Sequence, residues 1–513
     1  MKKYLVSLAF VTAGSLLLSG CAGLGADSSE PAPITPITSG APAGFEKYYE
    51  QVVEFAECGD GLFCAEVEVP MNWDDPQSES ITIATAYRKA DKKDPVGFVL
   101  FNPGGPGASG YDWVIESSDF LGTKVLRENF NIMGFDPRGV GRSSAVSCLS
   151  DEEYDEFLYG VTGFELGSDE DLAAGRAAVK EFGQKCLENT GDLLGHVDTI
   201  SAAKDMDLLR AILGQEKLHY LGYSYGSLLG TVYANLFPDR VGQFVLDGAI
   251  DPTVPDEQQT LFQIQAFEKA LRAFLESCEE YRDCPFTGFV EGDLKTIKEF
   301  FLELETNSLP TDSGRELTIW AAVTGLIMPL YSETYWPYLS TAFDMALNDG
   351  QGDLFLMLAD QYNDRGEDGT YATNLIAANY AISCLDSRAS TNIFSMRRQN
   401  QALIDAAPTL GKYWQYGALR CETWPFDTKP ALPSFSAEGA PTILVVGTTG
   451  DPATPYSQAQ SLAGSILNDG FLLTYNGEGH TVYGQQIRCV DNVVDTFFLT
   501  AELPDSDPNC QAP

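Results

Sequence analysis

The sequence predicts an α/β fold: a mainly parallel sheet with helices on both faces and a helical cap inserted late in the chain. Three observations lead there. Short apolar runs alternate with helical patterns from about residue 67 to 246. That rhythm then stops for about 190 residues, far more than a parallel crossover needs. It resumes with apolar runs at 441–446 and 471–475.

Taken in order, Ser80–Arg88 reads as a strand, Val96–Phe101 as a buried one and Phe130–Phe135 as a third. Asp198–Leu213 has the helical apolar set Ala202, Met206, Leu209 and Leu213. Lys217–Tyr223 is a strand, Ser224–Leu236 a helix rich in small residues, and Val241–Leu246 another strand. Within the interruption, Leu261, Ile264, Phe267, Leu271 and Phe274 share one helical face, and Leu294, Ile297, Phe301 and Leu304 share another. Further helical stretches cover 315–329, 334–347 and 371–382, and a closing helix lies near 489–499. The domain reading is therefore core at 44–251, helical cap at 252–385 and core again at 386–513. The cap belongs over the C-terminal edge of the sheet, where open α/β sheets form their ligand crevices.

The first residues read as a leader. Lys2 and Lys3 precede an apolar run from Tyr4 to Leu18, too short to span a bilayer comfortably. The run ends in Leu18-Ser19-Gly20-Cys21, which resembles a bacterial lipobox. Residues 1–20 are thus expected to be a lipoprotein signal peptide, and Cys21 the lipidated residue. Residues 21–43, rich in Pro, Ser, Gly and Ala, are expected to be a flexible tether reaching roughly 25 Å. No later stretch offers 18 uninterrupted apolar residues, so the lipid is the sole expected membrane anchor, outside the cytoplasm.

Composition agrees with export. Eleven Cys less Cys21 leave ten, an even number suited to disulfides in an oxidising compartment. Pairing of sequence neighbours gives Cys58–Cys64, Cys148–Cys186, Cys278–Cys284, Cys384–Cys421 and Cys489–Cys510. No Cys/His spacing suggests zinc, and neither a metal nor an organic cofactor is expected. The chain carries 73 acidic and 32 basic side chains, a formal charge of −41. Such a surface disfavours nucleic acid and anionic lipid, and it suits cationic groups such as the amino end of a peptide.

The chemistry gathers around Gly222-Tyr223-Ser224-Tyr225-Gly226. An apolar strand precedes this Gly-x-Ser-x-Gly pattern and a small-residue helix follows it, the context of a nucleophile elbow. A serine hydroxyl needs a base within reach and an acid to orient that base. Of three histidines, His219 lies on the buried strand and His196 precedes the nucleophile. His480, in Gly477-Glu478-Gly479-His480, follows a late strand and is the expected base. Asp451, after the strand ending at Val446, is the expected acid. Asp247 and Asp251 are alternatives, and Glu478 stands too near His480 in sequence to approach the ring from behind. For the oxyanion, the backbone N–H of Tyr225 and one from Asn102-Pro103-Gly104-Gly105-Pro106-Gly107 are expected, Gly105 first and Gly104 next.

Together with Asp136-Pro137-Arg138-Gly139-Val140-Gly141-Arg142-Ser143 and Gly450-Asp451-Pro452, these motifs resemble the tripeptidyl aminopeptidase family. These are exported enzymes of the α/β-hydrolase fold, related to prolyl iminopeptidases. The resemblance runs from about residue 45 to the C-terminus. It implies a serine peptidase that releases di- or tripeptides from a free N-terminus, with Ser224, Asp451 and His480 as its triad. It also implies cap carboxylates that hold the substrate ammonium. Glu257 and Glu268 on the first cap helix are candidates among many. A carboxylesterase using the same triad is the rival enzyme reading, and a solute-binding lipoprotein the non-enzymatic one.

Overall fold

The computed structural model describes residues 34–512; the expected signal peptide, Cys21 and the first part of the tether lie outside them. The rest of the tether is docked rather than loose. Ile34 and Ala41 lie against the core, Ile37 N donates to Ala211 O at 2.8 Å, and Arg240 holds Gly40 O at 2.8 Å. A composition that cannot build its own core can still add two apolar side chains to one already formed.

Ten strands form one sheet: β1 (Ala56–Gly59), β2 (Leu62–Pro70), β3 (Ser80–Arg88), β4 (Gly97–Asn102), β5 (Phe130–Phe135), β6 (Leu218–Tyr223), β7 (Val241–Asp247), β8 (Ile443–Gly450), β9 (Gly470–Glu478) and β10 (Cys510–Gln511). Their spatial order is β1-β2-β3-β5-β4-β6-β7-β8-β9-β10. The first three joints are antiparallel and the rest parallel. Successive residues alternate between two apolar layers. Leu100 and Met133 face one layer; Val99, Phe101 and Ile132 face the other. With both faces covered, the central strands read as continuous apolar runs, as their sequences suggested.

Five helices matter for the site. They are α1 (Thr199–Ile212), α2 (Tyr225–Leu236), α3 (Asp256–Ser277), α4 (Ile319–Leu330) and α5 (Leu375–Asp386). Helix α1 starts on Asp198, whose carboxylate accepts the Ser201 N–H at 2.9 Å. Arg138, fully buried, forks onto Asp205 of α1 at 2.7 Å through both Nε and Nη2, and Trp73 Nε1 donates to the same carboxylate. Asp136 accepts from Ser109 Oγ and from the Tyr111 and Arg142 N–H groups. The Asp136–Ser143 motif is therefore a brace for the sheet edge.

Between β7 and β8 the chain forms a helical insertion with its own apolar interior, built on Phe267, Leu271 and Phe274 of α3 and Leu326 of α4. That interior takes in Leu403, Leu410 and Tyr413, past residue 385. Helix α5, by contrast, turns Ala377, Ala378 and Ile382 toward the sheet-side core. The five disulfides are Cys58–Cys64, Cys148–Cys186, Cys278–Cys284, Cys384–Cys421 and Cys489–Cys510, each between sequence neighbours. Among the described residues no helix is long and apolar enough to cross a membrane.

Candidate active site

Ser224 sits between β6 and α2 with φ 55° and ψ −122°, a conformation that L-residues rarely adopt. The flanking glycines make it possible. A Cβ on Gly222 would come within 2.4 Å of Gly226 O, and one on Gly226 within 2.7 Å of Asn102 O. The Ser224 N–H donates to Asp247 O at 2.9 Å, tying the elbow to the end of β7.

The glycine loop after β4 lies directly against the elbow. A Cβ on Gly104, at φ 103°, would stand 2.6 Å from Tyr223 O, 2.9 Å from Ser224 Cβ and 3.2 Å from Tyr225 N. The Gly104 N–H is already given to Asn102 Oδ1 at 3.0 Å. The Gly105 N–H, by contrast, donates to no acceptor among the described residues, the condition an oxyanion donor must meet. Helix α5 supports the loop from outside: Asn379 Nδ2 donates to Pro106 O at 2.9 Å, and the Arg420 guanidinium grips Asn379 Oδ1 in turn. Nothing local in the sequence singles out Asn379 for this task.

His480 Nδ1 lies 2.8 and 2.9 Å from the two Asp451 oxygens. The Asp451 carboxylate is fully buried and also accepts from Ala453 N, Thr454 N and Thr454 Oγ1. Burial lowers the proton affinity of the imidazole, but the Asp451 carboxylate more than offsets this, so the ring sits above the ordinary histidine value. His480 Nε2 is buried and has no hydrogen-bond partner, so no bond joins it to Ser224 in this state. The two are nevertheless neighbours. A Cβ on Gly248 would meet His480 Cε1 at 2.9 Å, and Gly248 directly follows the residue that accepts the Ser224 N–H. Triads commonly tighten only once substrate is bound.

The insertion also reaches the base. The His480 N–H donates to Tyr331 O at 2.9 Å, just after α4. The Tyr331 ring stands edge-on to the imidazole at 5.5 Å. Sequence reasoning missed Tyr331, which no motif marks.

The remaining candidates fall elsewhere. Asp247 accepts from Val482 N and Tyr483 N, and Asp251 from Thr253; neither takes the imidazole. His219 Nδ1 accepts from Gln243 N on the sheet, and His196 contributes its carbonyl to Arg138. Glu268 is buried and caps Thr409 N and Leu410 N, while Glu257 accepts from Ser390 N. Glu268 is thus committed to backbone through both oxygens, while Glu257 uses one oxygen only. Glu478 differs: its carboxylate lies over Gly450, and Oε2 is buried without a partner. Burial raises its pKa, and the nearby Glu333 raises it further. Among the described residues, no three His, Cys, Asp or Glu side chains converge as a metal site.

A family model described as the alpha/beta hydrolase fold matches residues 97–485. Serine protease Hip1 of Mycobacterium tuberculosis is 34% identical over 462 residues, covering 88% of this chain and 87% of its own. Carboxylesterase B of the same organism is 33% identical over 464 residues, covering 87% and 86%. A tripeptidyl aminopeptidase of Streptomyces lividans is 28% identical over 454 residues, covering 87% and 83%.

Proposed function

The chain belongs to the tripeptidyl aminopeptidase-like family of α/β-hydrolases and is a serine hydrolase of the peptidase kind, and from that premise we propose that it releases di- or tripeptides from free N-termini through an acyl-enzyme on Ser224. Ser224 Oγ attacks the scissile carbonyl while His480 Nε2 takes its proton. Asp451 holds the ring and steadies the imidazolium. The N–H groups of Tyr225 and Gly105 receive the oxyanion. His480 then protonates the leaving amine, and a water deprotonated by His480 frees the acyl group.

The observation that supports an amine-end preference is Glu478. Its unpaired Oε2 is two residues from the base, in a protein of net charge −41. The Lys269 charge draws the Glu478 pKa down, but its ammonium gives its hydrogen bond to Thr449 O. A substrate ammonium would supply the missing partner and draw the buried carboxyl into its charged form. The esterase reading keeps the same triad and gives Glu478 no role, and one relative is named a carboxylesterase.

Hydrolysis of a peptide anilide with a free N-terminus, its N-acetylated form and a nitrophenyl ester separates the two. The free form should be cut at least tenfold faster than the acetylated one; equal rates would defeat the aminopeptidase reading. The reading includes export and attachment through lipid on Cys21, with peptides rather than nucleic acid as partners. Cys21→Ala should then move the protein from the membrane fraction to the soluble one.

A further inference from the structure

Asp247 ends β7 at the middle of the sheet, is fully buried and belongs to no ion pair among the described residues. A carboxylate taken out of water needs donors, and this one has two. Val482 N and Tyr483 N both donate to Oδ2 at 2.8 Å, across some 235 positions of chain. These are the second and third residues after the base. The backbone carbonyl of Asp247 accepts the Ser224 N–H at 2.9 Å. One residue thus holds the nucleophile through its main chain and the loop of the base through its side chain. Tyr223, immediately before the nucleophile, adds a second tie: its hydroxyl donates to Tyr483 O at 2.8 Å. Oδ1 of Asp247 is buried with no donor at all. Its negative charge is therefore left to act on what surrounds it.

We infer that Asp247 is a positioning residue for catalysis: it fixes the separation of Ser224 and His480, and its carboxylate is a second negative charge that stabilises the imidazolium beside Asp451. This rests on the catalytic reading above. Asp451 orients the ring directly, whereas Asp247 acts through the loop and through space. The groups that titrate around the pair are few. Asp451, Asp247 and the Tyr331 phenol face His480; His480, Asp451 and the Tyr223 phenol face Asp247. Burial pushes the Asp247 carboxyl up to about 6, against the two N–H donors and the His480 charge that hold it down. It is thus charged above about pH 6 and loses its charge below it.

The test is Asp247→Asn, which keeps the shape and one acceptor and removes the charge. Turnover of the peptide anilide should fall about tenfold with KM within about twofold, because the missing interaction strengthens as charge develops on the ring. The acid limb of the rate profile should move down by about one pH unit, since one of the two charges that favour the imidazolium is gone. A folded Asp247→Asn whose acid limb stays at the wild-type position overturns the inference, because a merely structural role would lower the active fraction and leave that limb alone. If this variant melts below the assay temperature, Asp247→Ser, smaller and uncharged, must give the same shift, read by fluorophosphonate labelling at low temperature. Ser224→Ala is the control. If it keeps wild-type turnover, the catalytic reading itself falls, a result distinguishable from an unshifted limb in a protein whose Ser224 is essential.

Discussion

Ser224 takes its conformation from its neighbours in sequence and adds one distant main-chain tie to Asp247, whereas His480 is held by residues drawn from three distant stretches of chain. The elbow needs only a strand, two glycines and a helix, and its strained φ follows from those five residues. The base needs Asp451 from the end of β8, Asp247 from the end of β7 and Tyr331 from the insertion. The difference teaches where each half of the chemistry is vulnerable. Damage to the elbow should be local and severe. Damage to the seat of the base should be graded, because several contacts share the work.

That contrast can be broken or sharpened by substitution. Ser224→Ala should reduce turnover by about 10⁵-fold, with peptide binding retained, as measured by anilide kinetics and calorimetry. Asp451→Asn should cost about 10³ to 10⁴-fold, because the ring loses both its orientation and the charge that raises its pKa. Gly104→Ala would set a methyl 2.6 Å from Tyr223 O and 2.9 Å from Ser224 Cβ. Displacing the loop in this way should lower kcat about 10²-fold, and the strain of an alanine at φ 103° should lower the melting temperature as well. Tyr331→Ala should cost about tenfold, mostly in kcat, because the main-chain bond to His480 survives while the ring that backs the imidazole is gone. If Tyr331→Ala proved as damaging as Gly104→Ala, the graded picture of the base would be wrong.

The smallest effect is one of stability. Asp386, at the end of α5, accepts from Thr199 N and Oγ1, and burial pushes its carboxyl up to about 7. Its folded-state pKa lies above the unfolded value of 3.8, so the folded chain binds the extra proton. The stability it contributes is complete below 3.8 and is lost as pH rises through about 7. The melting temperature should therefore fall by a few degrees between pH 6 and 8, and a calorimetric scan of Asp386→Asn should show a flatter dependence.

Much of the fold and half of the site were legible in the sequence for the same physical reason. Period, glycine spacing and strand-turn-helix context are local properties, and they mark β4 to β7, the elbow and the glycine loop. His480 was legible by elimination, since only three histidines exist and the other two lie before Ser224. The surroundings of the acidic side chains were not legible: only the packed structure reveals that Glu268 caps Thr409 N and Leu410 N, that one oxygen of Glu257 takes the Ser390 N–H, and that Glu478 Oε2 has no partner. Asn379, which steadies Pro106 across 273 positions, and Tyr331 carry no signature at all. Docking of residues 34–43 was likewise invisible, because it depends on a surface made by α1 and the turn at Arg240.

The disulfides bear on how such an arrangement comes together. Each links cysteines between 6 and 38 positions apart, and none bridges the 256-residue interval from Ser224 to His480. A chain synthesised N-terminus first can therefore close every cross-link in the order of its emergence wherever its surroundings are oxidising, with no reshuffling of distant thiols. The meeting of Ser224 and His480 is left to noncovalent assembly, and it becomes possible only once residue 480 has arrived. Until then Ser224 stands without the imidazole proposed to activate it.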